Sequence, residues 1–384
     1  MTTPVLPYGR HTIDENDCAA VLAVLRGECL TQGPAVAAFE AGLAAYLGAA
    51  EVVTCSSGTA ALHLLMQTLE LKPGEAVVIP AITFVATANA VRHAGGEVAF
   101  ADVNPETGLM TPETAAIALA RARQRGWRVR ALCPVHLGGH AVDRAALTAL
   151  ADAEGLMVLE DACHALGSRD ARGERIGNGA CPAVFSFHPV KAIAAGEGGA
   201  VATNDPELAQ RLRQLRTHGL ERDSADPAVY RMDAPGFNYR LSDLHAALGL
   251  SQLARLETFV ARRRALAACY DQALAPLASV LRTPLRPGGE DCAWHLYSVR
   301  IDFPALGQTR PALMAALRQA GIGTQVHYIP VHTQPYYQQR YGPLFLPGAE
   351  GWYAAALSLP LFPALSQSDA ARVVAALEMA CGFG

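Results

Sequence analysis

The residue whose chemistry stands out first is Lys191, in the stretch FSFHPVKAIAAGEGGA at positions 185–200. The chain has 31 lysine and arginine residues, and its only lysines are Lys72 and Lys191. Arginine serves wherever a positive charge suffices, whereas a lysine amine can lose its proton and attack a carbonyl. That reaction needs an apolar pocket or a nearby cation, because a solvated lysine has a pKa of about 10.4. A surface lysine is the alternative, and the arginine bias favours the reactive amine.

A second group that could do chemistry is the acidic pair Glu160-Asp161, which ends the apolar run LMVLED at 156–161. Ligands of parallel α/β sheets bind at the carboxyl ends of the strands, so an acid at this place can face a ligand. The same acid could instead cap the turn that follows it. The sequence leaves both interpretations open at this point.

The third feature is SSGTAALHLL at 56–65, where a short apolar run meets Ser-Ser-Gly-Thr and then a helical pattern. Unpaired backbone N–H groups, hydroxyls and the helix dipole at such a start can bind an anion. An ordinary helix cap is the alternative, and the motif is not a Walker loop because no Gly-Lys-Ser/Thr follows. An anion cradle, a strand-end carboxylate and a lone lysine are together the groups that bind pyridoxal phosphate.

Hydrophobic patterns supply elements that could bring these groups together. Helical patterns at 34–48 and 60–71 flank the first of several short apolar runs, and more helical patterns separate later ones. The runs that predict buried strands are 51–55, 76–80, 97–103, 129–137, 156–161, 183–188 and 199–205. Such alternation predicts an α/β layer with a mostly parallel sheet.

The pattern changes from about residue 241. A helical pattern over 241–274 is too long for one ordinary helix without a bend. It is followed by strand-like runs at 294–303 and 324–330 and a helical pattern at 311–321. We therefore predict a large domain over 1–250, which includes the N-terminal segment, and a small α+β domain over 251–384.

Composition limits the class of protein. A net charge of −4 gives no general attraction to nucleic acid or to an anionic membrane, so neither is expected as a partner. No secretory signal and no apolar run of about 18 residues is visible. The nine cysteines form no CxxC pair, which predicts reduced thiols in the cytoplasm. The stretch HLGGH at 136–140 lacks further ligands at metal spacing, so we expect no metal.

Over nearly its whole length, the sequence resembles the DegT-type sugar aminotransferases, which are pyridoxal phosphate enzymes of fold type I. The resemblance rests on SSGTAALH, PAITFVATANAV, EDACHALGS, FSFHPVK with GEGG, and GFNYRLSDLHAALGLSQL. It implies an α/β fold in which a large domain with a mostly parallel seven-stranded sheet carries a smaller α+β C-terminal domain. The segments LTQGPAVAAFE and GIGTQVHYIPVHTQPYY resemble most the branch that acts in pseudaminic acid synthesis.

Catalytic roles are implied for three residues. Lys191 matches the lysine that links to the cofactor, Asp161 the partner of the ring nitrogen, and His164 a residue near the ring hydroxyl. The full set of implied cofactor contacts is Ser57, Gly58, Thr59, Phe84, Asp161, His164, Ser186, Lys191 and Asn238. The last of these matches an asparagine that reaches the phosphate of the neighbouring subunit, which implies a homodimer with shared sites.

Two segments match substrate-contacting regions of the family. The implied contacts are Tyr8, Thr31, Gln32, Gly33, Gln325, Val326, His327, Tyr328 and His332. The sequence departs from the family at Cys163, where alanine is usual, and at Ala194 and Ala195, which replace a common threonine pair. These departures concern rate and substrate choice rather than the reaction class.

The function that the resemblance implies is amino transfer from L-glutamate to a nucleotide-linked 4-keto-6-deoxy sugar. A UDP-4-keto-6-deoxy-L-AltNAc-type sugar, aminated for pseudaminic acid synthesis, is the expected substrate. The alternatives are another sugar nucleotide, such as a GDP-linked one, and a non-catalytic sensor on the same scaffold. A sugar dehydratase is disfavoured because those relatives carry histidine where Lys191 stands.

Overall fold

The computed structural model describes residues 5–223, 226, 228–287, 289 and 291–383. Its strands are β1 (Glu51–Cys55), β2 (Glu75–Pro80), β3 (Glu97–Ala101), β4 (Arg128–Leu132), β5 (Met157–Val158), β6 (Glu160–Asp161), β7 (Ala183–Ser186), β8 (Gly199–Thr203), β9 (Leu220–Arg222), β10 (Tyr230–Met232), β11 (Leu281–Arg282), β12 (Tyr297–Ile301) and β13 (Ala356–Leu359).

The α-helices are α1 (Glu15–Leu25), α2 (Pro34–Leu47), α3 (Gly58–Gln67), α4 (Val85–His93), α5 (Pro112–Gln124), α6 (Arg144–Glu154), α7 (Pro206–Leu215), α8 (Asp243–Leu253), α9 (Leu256–Ala273), α10 (Phe303–Leu306), α11 (Arg310–Gln319), α12 (Pro335–Tyr341), α13 (Pro347–Ala355) and α14 (Gln367–Ala380).

The main sheet joins two runs of strands, β3-β2-β4-β5 and β6-β7-β8-β1. They meet at Leu159, whose N–H donates to the carbonyl of Leu132 at 2.9 Å, while the N–H of Glu160 donates to Pro182 on the other side at 2.8 Å. The short strands β5 and β6 therefore act as one central strand. Within the described residues this gives seven strands, in which only β8 runs antiparallel to its neighbours. The predicted fold, a mostly parallel seven-stranded sheet, is confirmed.

The strands form because their side chains are buried on both faces, as in other parallel sheets covered by helices. All six residues of β2 are buried, and helices α3, α4 and α5 pack against the sheet. The parallel order brings the ends of β6 and β7 to the same edge, where Asp161 and Ser186 end their strands. The fold thus places the predicted reactive segments side by side.

A second, antiparallel sheet of order β11-β12-β13 packs with α11 and α14 around its own core. The long helical pattern over 241–274 is two helices, which separate at Ala254 and Arg255. Helix α9 contributes Phe259 to a core beside the main sheet and Tyr270 to the core of the small sheet. The boundary at residues 250 and 251 stays a prediction.

The strand predicted over 324–330 is absent, apart from a single bridge. Gln325 exchanges two backbone hydrogen bonds with Ser358, at 3.2 and 2.7 Å, and no ladder follows. The segment leaves β13 to reach the main sheet, where the N–H of Val331 donates to the carbonyl of Ala81 at 2.8 Å. Alternating polarity predicted the strand, but a segment that crosses between two sheets cannot pair along either.

Candidate active site

A cavity of about 790 Å³ opens at the carboxyl ends of the parallel strands. Thirteen of the predicted site residues line it: Tyr8, Ser57, Gly58, Thr59, Phe84, Asp161, His164, Ser186, Lys191, Gln325, Val326, His327 and Tyr328. They come from distant parts of the sequence, and the topology of the sheet is what brings them together.

Lys191 lies just past β7, at the end of a tight turn in which its N–H donates to the carbonyl of His188 at 2.8 Å. Burial lowers the pKa of the Lys191 amine, because the charged form is poorly solvated there. The nearby Cys163 and Asp161 oppose this effect without cancelling it. The amine is therefore easier to deprotonate than that of a surface lysine, as the sequence predicted for a reactive amine.

Asp161 is held in place from both of its carboxylate oxygens. The hydroxyl of Thr87 donates to Oδ2 at 2.7 Å, and the backbone N–H of Cys163 donates to Oδ1 at 3.1 Å. The side chain of Asp161 is buried, and Thr83 joins the network by a 2.8 Å hydrogen bond to Thr87. These bonds leave the carboxylate oriented but with remaining acceptor capacity for a protonated ligand nitrogen.

The phosphate cradle predicted at SSGT is the N-terminus of α3. Ser57 caps this helix and accepts a hydrogen bond from the N–H of Ala60 at 3.1 Å. A side chain at Gly58 would place its Cβ 2.7 Å from Cβ of Ser186, so only glycine allows the backbone this close to β7. The serines and the unpaired N–H groups of α3 thus converge on one point, where an anion is stabilised.

His164 and Tyr328 form a hydrogen-bonded pair whose direction can be deduced. The N–H of Gly138 donates to Nδ1 of His164 at 3.2 Å, so Nδ1 carries the lone pair and the proton is on Nε2. That proton is donated to the hydroxyl of Tyr328, which lies 3.2 Å away. Tyr328 therefore accepts from His164 and is free to donate its own proton towards the cavity that it lines.

Three imidazoles surround Lys191 in neutral form. Burial, reinforced by the charge of Lys191, lowers the pKa of His164 well below its usual value and that of His327 to about 3. Burial, together with His164 and Lys191, does the same to His295, whose ring lies 4.3 Å from that of His164. The wall of the cavity thus offers hydrogen bonds without adding positive charge.

The predicted contacts Thr31, Gln32, Gly33 and Asn238 do not line this cavity. Thr31 bridges to Ser242 and the N–H of Gly33 donates to Asp243 at 2.8 Å, whereas Asn238 bridges to Thr217. Asn238 was assigned to the neighbouring subunit's site, so its position outside this chain's own cavity does not test that role. All of these roles stay predictions.

His332 is also outside the cavity. It is buried, and its ring lies against Phe100 at 6.2 Å between centroids, with Nε2 3.6 Å from a carboxylate oxygen of Glu350. It lies in the short 3-10 turn Val331–Thr333 after Pro330, which does not line the cavity, whereas Gln325 to Ile329 do. A direct contact between His332 and a ligand in this cavity would need a rearrangement of that turn.

Sequence reasoning missed three cavity residues that the structure brings forward. Thr83 lies two residues before α4 and Thr87 lies in its first turn, and their hydroxyls are 2.8 Å apart, so this spacing of four residues was a usable signal. His295 lies just before β12, and nothing in its local sequence distinguishes it from a core histidine. Its place in the site depends on packing across sheets.

In the described parts of the chain, no group of three or more His, Cys, Asp or Glu side chains could hold a metal ion. Among the described helices, none is both long and apolar enough to cross a bilayer.

The fold and the site together define a class: pyridoxal-phosphate-dependent enzymes that use a buried lysine, a strand-end carboxylate and a helix N-terminus. The cofactor fits the residues present, because the glycine-lined cradle, the oriented Asp161 and the Lys191 amine face one cavity. The profile of the DegT/DnrJ/EryC1/StrS aminotransferase family matches residues 11–378, and the chain belongs to that family. It is a sugar aminotransferase that depends on pyridoxal phosphate.

Solved structures agree with this assignment. Helicobacter pylori PseC, an aminotransferase of pseudaminic acid biosynthesis, is 29% identical with a TM-score of 0.91, over 99% of this chain and 100% of that one. DesV of S. venezuelae is 37% identical with a TM-score of 0.86, over 98% and 99%. A sugar aminotransferase of Streptococcus pneumoniae, Spr1654, is 25% identical with a TM-score of 0.88 over 98% and 99%, in its PLP form.

Proposed function

We propose that this protein transfers an amino group from L-glutamate to the 4-keto group of a nucleotide-linked 4-keto-6-deoxy sugar. A UDP-linked sugar of the 4-keto-6-deoxy-L-AltNAc type, aminated for pseudaminic acid synthesis, is the first candidate. The observation that carries the proposal is the cavity itself, which joins Lys191 and Asp161 at its base to the segment 325–329 at its mouth. The full-length likeness to PseC supports the choice of pathway.

The bound cofactor would supply an electrophilic carbonyl and an electron-withdrawing ring. Ser57, Gly58 and Ser186 would hold its phosphate, and Asp161 would keep the ring nitrogen protonated. The Nζ atom of Lys191 would take a proton from the α-carbon of the donor as a general base. It would then deliver that proton to the cofactor as a general acid. The lowered pKa of Lys191 supports this role.

The polar residues of the mouth would orient the sugar. Tyr328 has a hydroxyl proton to donate, since it accepts from His164, and burial raises its pKa so that the phenol stays protonated. His327 is neutral and can give or take one hydrogen bond without attracting the donor's carboxylates strongly. The site therefore discriminates by the placement of hydroxyl and carbonyl oxygens, which is what a sugar presents.

The proposal includes a homodimer in the cytoplasm. Asn238 lies outside this chain's cavity and, by the family resemblance, would serve the partner's site. All nine cysteines are free thiols, in keeping with a reducing compartment. Size-exclusion chromatography with light scattering tests the dimer.

The deciding experiment is an amination panel. The purified holoenzyme is incubated with L-glutamate and with UDP-, GDP- or dTDP-linked 4-keto-6-deoxy sugars, and 4-amino sugar and 2-oxoglutarate are measured. We expect the UDP-linked sugar to have the highest kcat/KM. Preference for another nucleotide would correct the substrate, and no amination of any member, with cofactor bound, would overturn the proposal.

A further inference from the structure

Two buried serines continue the wall of the cavity into the small sheet. The Nδ1 atom of His327 lies 2.8 Å from the hydroxyl of Ser358, which lies 2.7 Å from the hydroxyl of Ser298. Ser298 and Ser358 are directly opposed partners in the pairing of β12 with β13. The three side chains thus form one chain of hydrogen bonds that ends at the cavity, which His327 lines.

These side chains are buried, with 1% exposure for Ser358, 8% for Ser298 and 5% for His327. A buried hydroxyl normally keeps its hydrogen bonds satisfied. The backbone of His327 is fixed as well, because the indole N–H of Trp352 donates to its carbonyl at 3.0 Å. The imidazole therefore has one well-defined orientation, in which Nδ1 faces the serines.

The proton arrangement of this chain can take two directions. If Ser298 donates to Ser358 and Ser358 donates to Nδ1, then His327 carries its proton on Nε2. If Nδ1 carries the proton, the order reverses, and the Ser298 hydroxyl must find another acceptor. Ser298 lies within hydrogen-bond distance of Ser358, so the first direction satisfies every hydroxyl proton among these three side chains, whereas the second leaves the Ser298 proton without an acceptor among them.

We infer that Ser358, supported by Ser298, is a positioning residue that makes His327 a hydrogen-bond donor towards an oxygen of the sugar substrate. This inference rests on the proposed function for the identity of the substrate. A neutral imidazole has one N–H to place, so the serines decide whether the cavity meets a donor or an acceptor. An N–H donor suits a carbonyl or hydroxyl oxygen of the acceptor sugar, whereas a lone pair would suit only a hydroxyl.

The oxygen could in principle belong to the sugar or to the carboxylates of glutamate. Separate half-reactions distinguish the two. Single-turnover amination of the cofactor by glutamate, and its reversal by the ketosugar, are followed by the visible absorbance of the holoenzyme. For Ser358→Ala we expect kcat/KM of the sugar half-reaction to fall about tenfold, from the loss of one oriented hydrogen bond, with the glutamate half-reaction unchanged.

Matched variants separate positioning from folding. Ser358→Thr keeps the hydroxyl and should restore most of the rate, and Ser298→Ala should cost about threefold. The double variant Ser298→Ala/Ser358→Ala should be no slower than Ser358→Ala alone, because both act through His327. Equal losses in both half-reactions, or additive losses in the double variant, would overturn the inference.

A direct readout does not depend on turnover. The ring nitrogens of ¹⁵N-histidine-labelled holoenzyme are observed by NMR, with the His327 signals assigned by their loss in His327→Gln. We expect the Nε2–H form in the wild type and a mixture of the two neutral forms in Ser358→Ala. An Nδ1–H form in the wild type would refute the inference even if sugar amination is observed. Failure to aminate any nucleotide sugar would instead refute the proposed function, whereas the NMR spectrum would still show which ring nitrogen of His327 carries the proton.

Discussion

The floor and the mouth of the cavity are built in different ways. The floor, defined by Asp161, His164 and Lys191, lies at or just past strand ends. Asp161 and His164 are buried and each accepts from a backbone N–H group, whereas Lys191 is half-buried. The mouth is defined by Tyr8 and residues 325–329. Residues 325–329 belong to a segment that pairs through one bridge only, and Gln325 and Ile329 are exposed. We therefore propose that the floor determines the reaction class and that the mouth determines the choice of sugar. Changes to the floor should impair both half-reactions, and changes to the mouth only the sugar half.

The largest effect is expected at Lys191. Lys191→Arg keeps the charge but removes the amine that deprotonates, so turnover should fall by at least about a thousandfold. The visible absorbance of the lysine-bound cofactor should disappear, whereas the circular dichroism spectrum should stay unchanged. Lys191→Ala serves as the matched variant without charge. Turnover retained in the arginine variant would contradict the proposed chemistry of the floor.

Asp161→Asn should rank second. The amide keeps the shape of the side chain but removes the negative charge that holds a ring nitrogen protonated, so both half-reactions should slow about a hundredfold. Thr87→Val, which removes one hydrogen bond to the same carboxylate, is the milder control and should cost about fivefold. Stopped-flow measurement of each half-reaction checks this. A loss confined to one half-reaction would contradict the proposal that the floor serves both half-reactions.

A change at the mouth should have a smaller and one-sided effect. Gln325→Ala removes an exposed side chain that lines the cavity, and we expect kcat/KM for the sugar half-reaction to fall about fivefold. The rate with glutamate should stay the same. Steady-state kinetics with each substrate varied in turn measures both values. An equal effect on glutamate would show that the donor reaches the mouth as well.

The last prediction concerns stability and pH rather than rate. Burial lowers the pKa of His327 to about 3, so the unfolded chain binds a proton at this residue that the folded protein rejects between about pH 6.5 and pH 3. Its contribution to the free energy of unfolding should therefore decline as pH falls through this window, by about 1 kcal/mol per unit. Urea unfolding of the cofactor-free protein at several pH values, compared with the same measurement on His327→Gln, isolates the contribution of His327 to the free energy of unfolding. Identical pH slopes would contradict the burial of a neutral imidazole.

Much of the floor could be predicted from sequence, because each of its groups follows a recognisable strand end. Lys191 stood out by residue type and Asp161 by its place after an apolar run, and the resemblance to a family supplied the role of His164. The mouth was harder. The segment 324–330 alternates like a strand, yet its conformation is decided by contacts with two separate sheets, at Ser358 and at Ala81.

The same limit explains the other differences. His332 belongs to the same sequence motif as the mouth residues, but it lies in the turn after Pro330 and does not line the cavity. No local sequence pattern predicted that turn. His295 and the serine pair enter the site through β12 and β13, which are distant in sequence from the floor. Local sequence predicts site residues well when they follow strand ends of one sheet. It predicts them poorly when packing between two sheets brings them to the site.

The segment 325–331 is tied at both of its ends, where Gln325 bonds to Ser358 and Val331 bonds to Ala81. Because both ends are fixed, side chains along this segment can be substituted, but inserting or deleting a residue would break the hydrogen bonds at one of its ends. Relatives that accept other sugars are thus free to differ in the side chains of this segment, and we expect its length to be conserved among them.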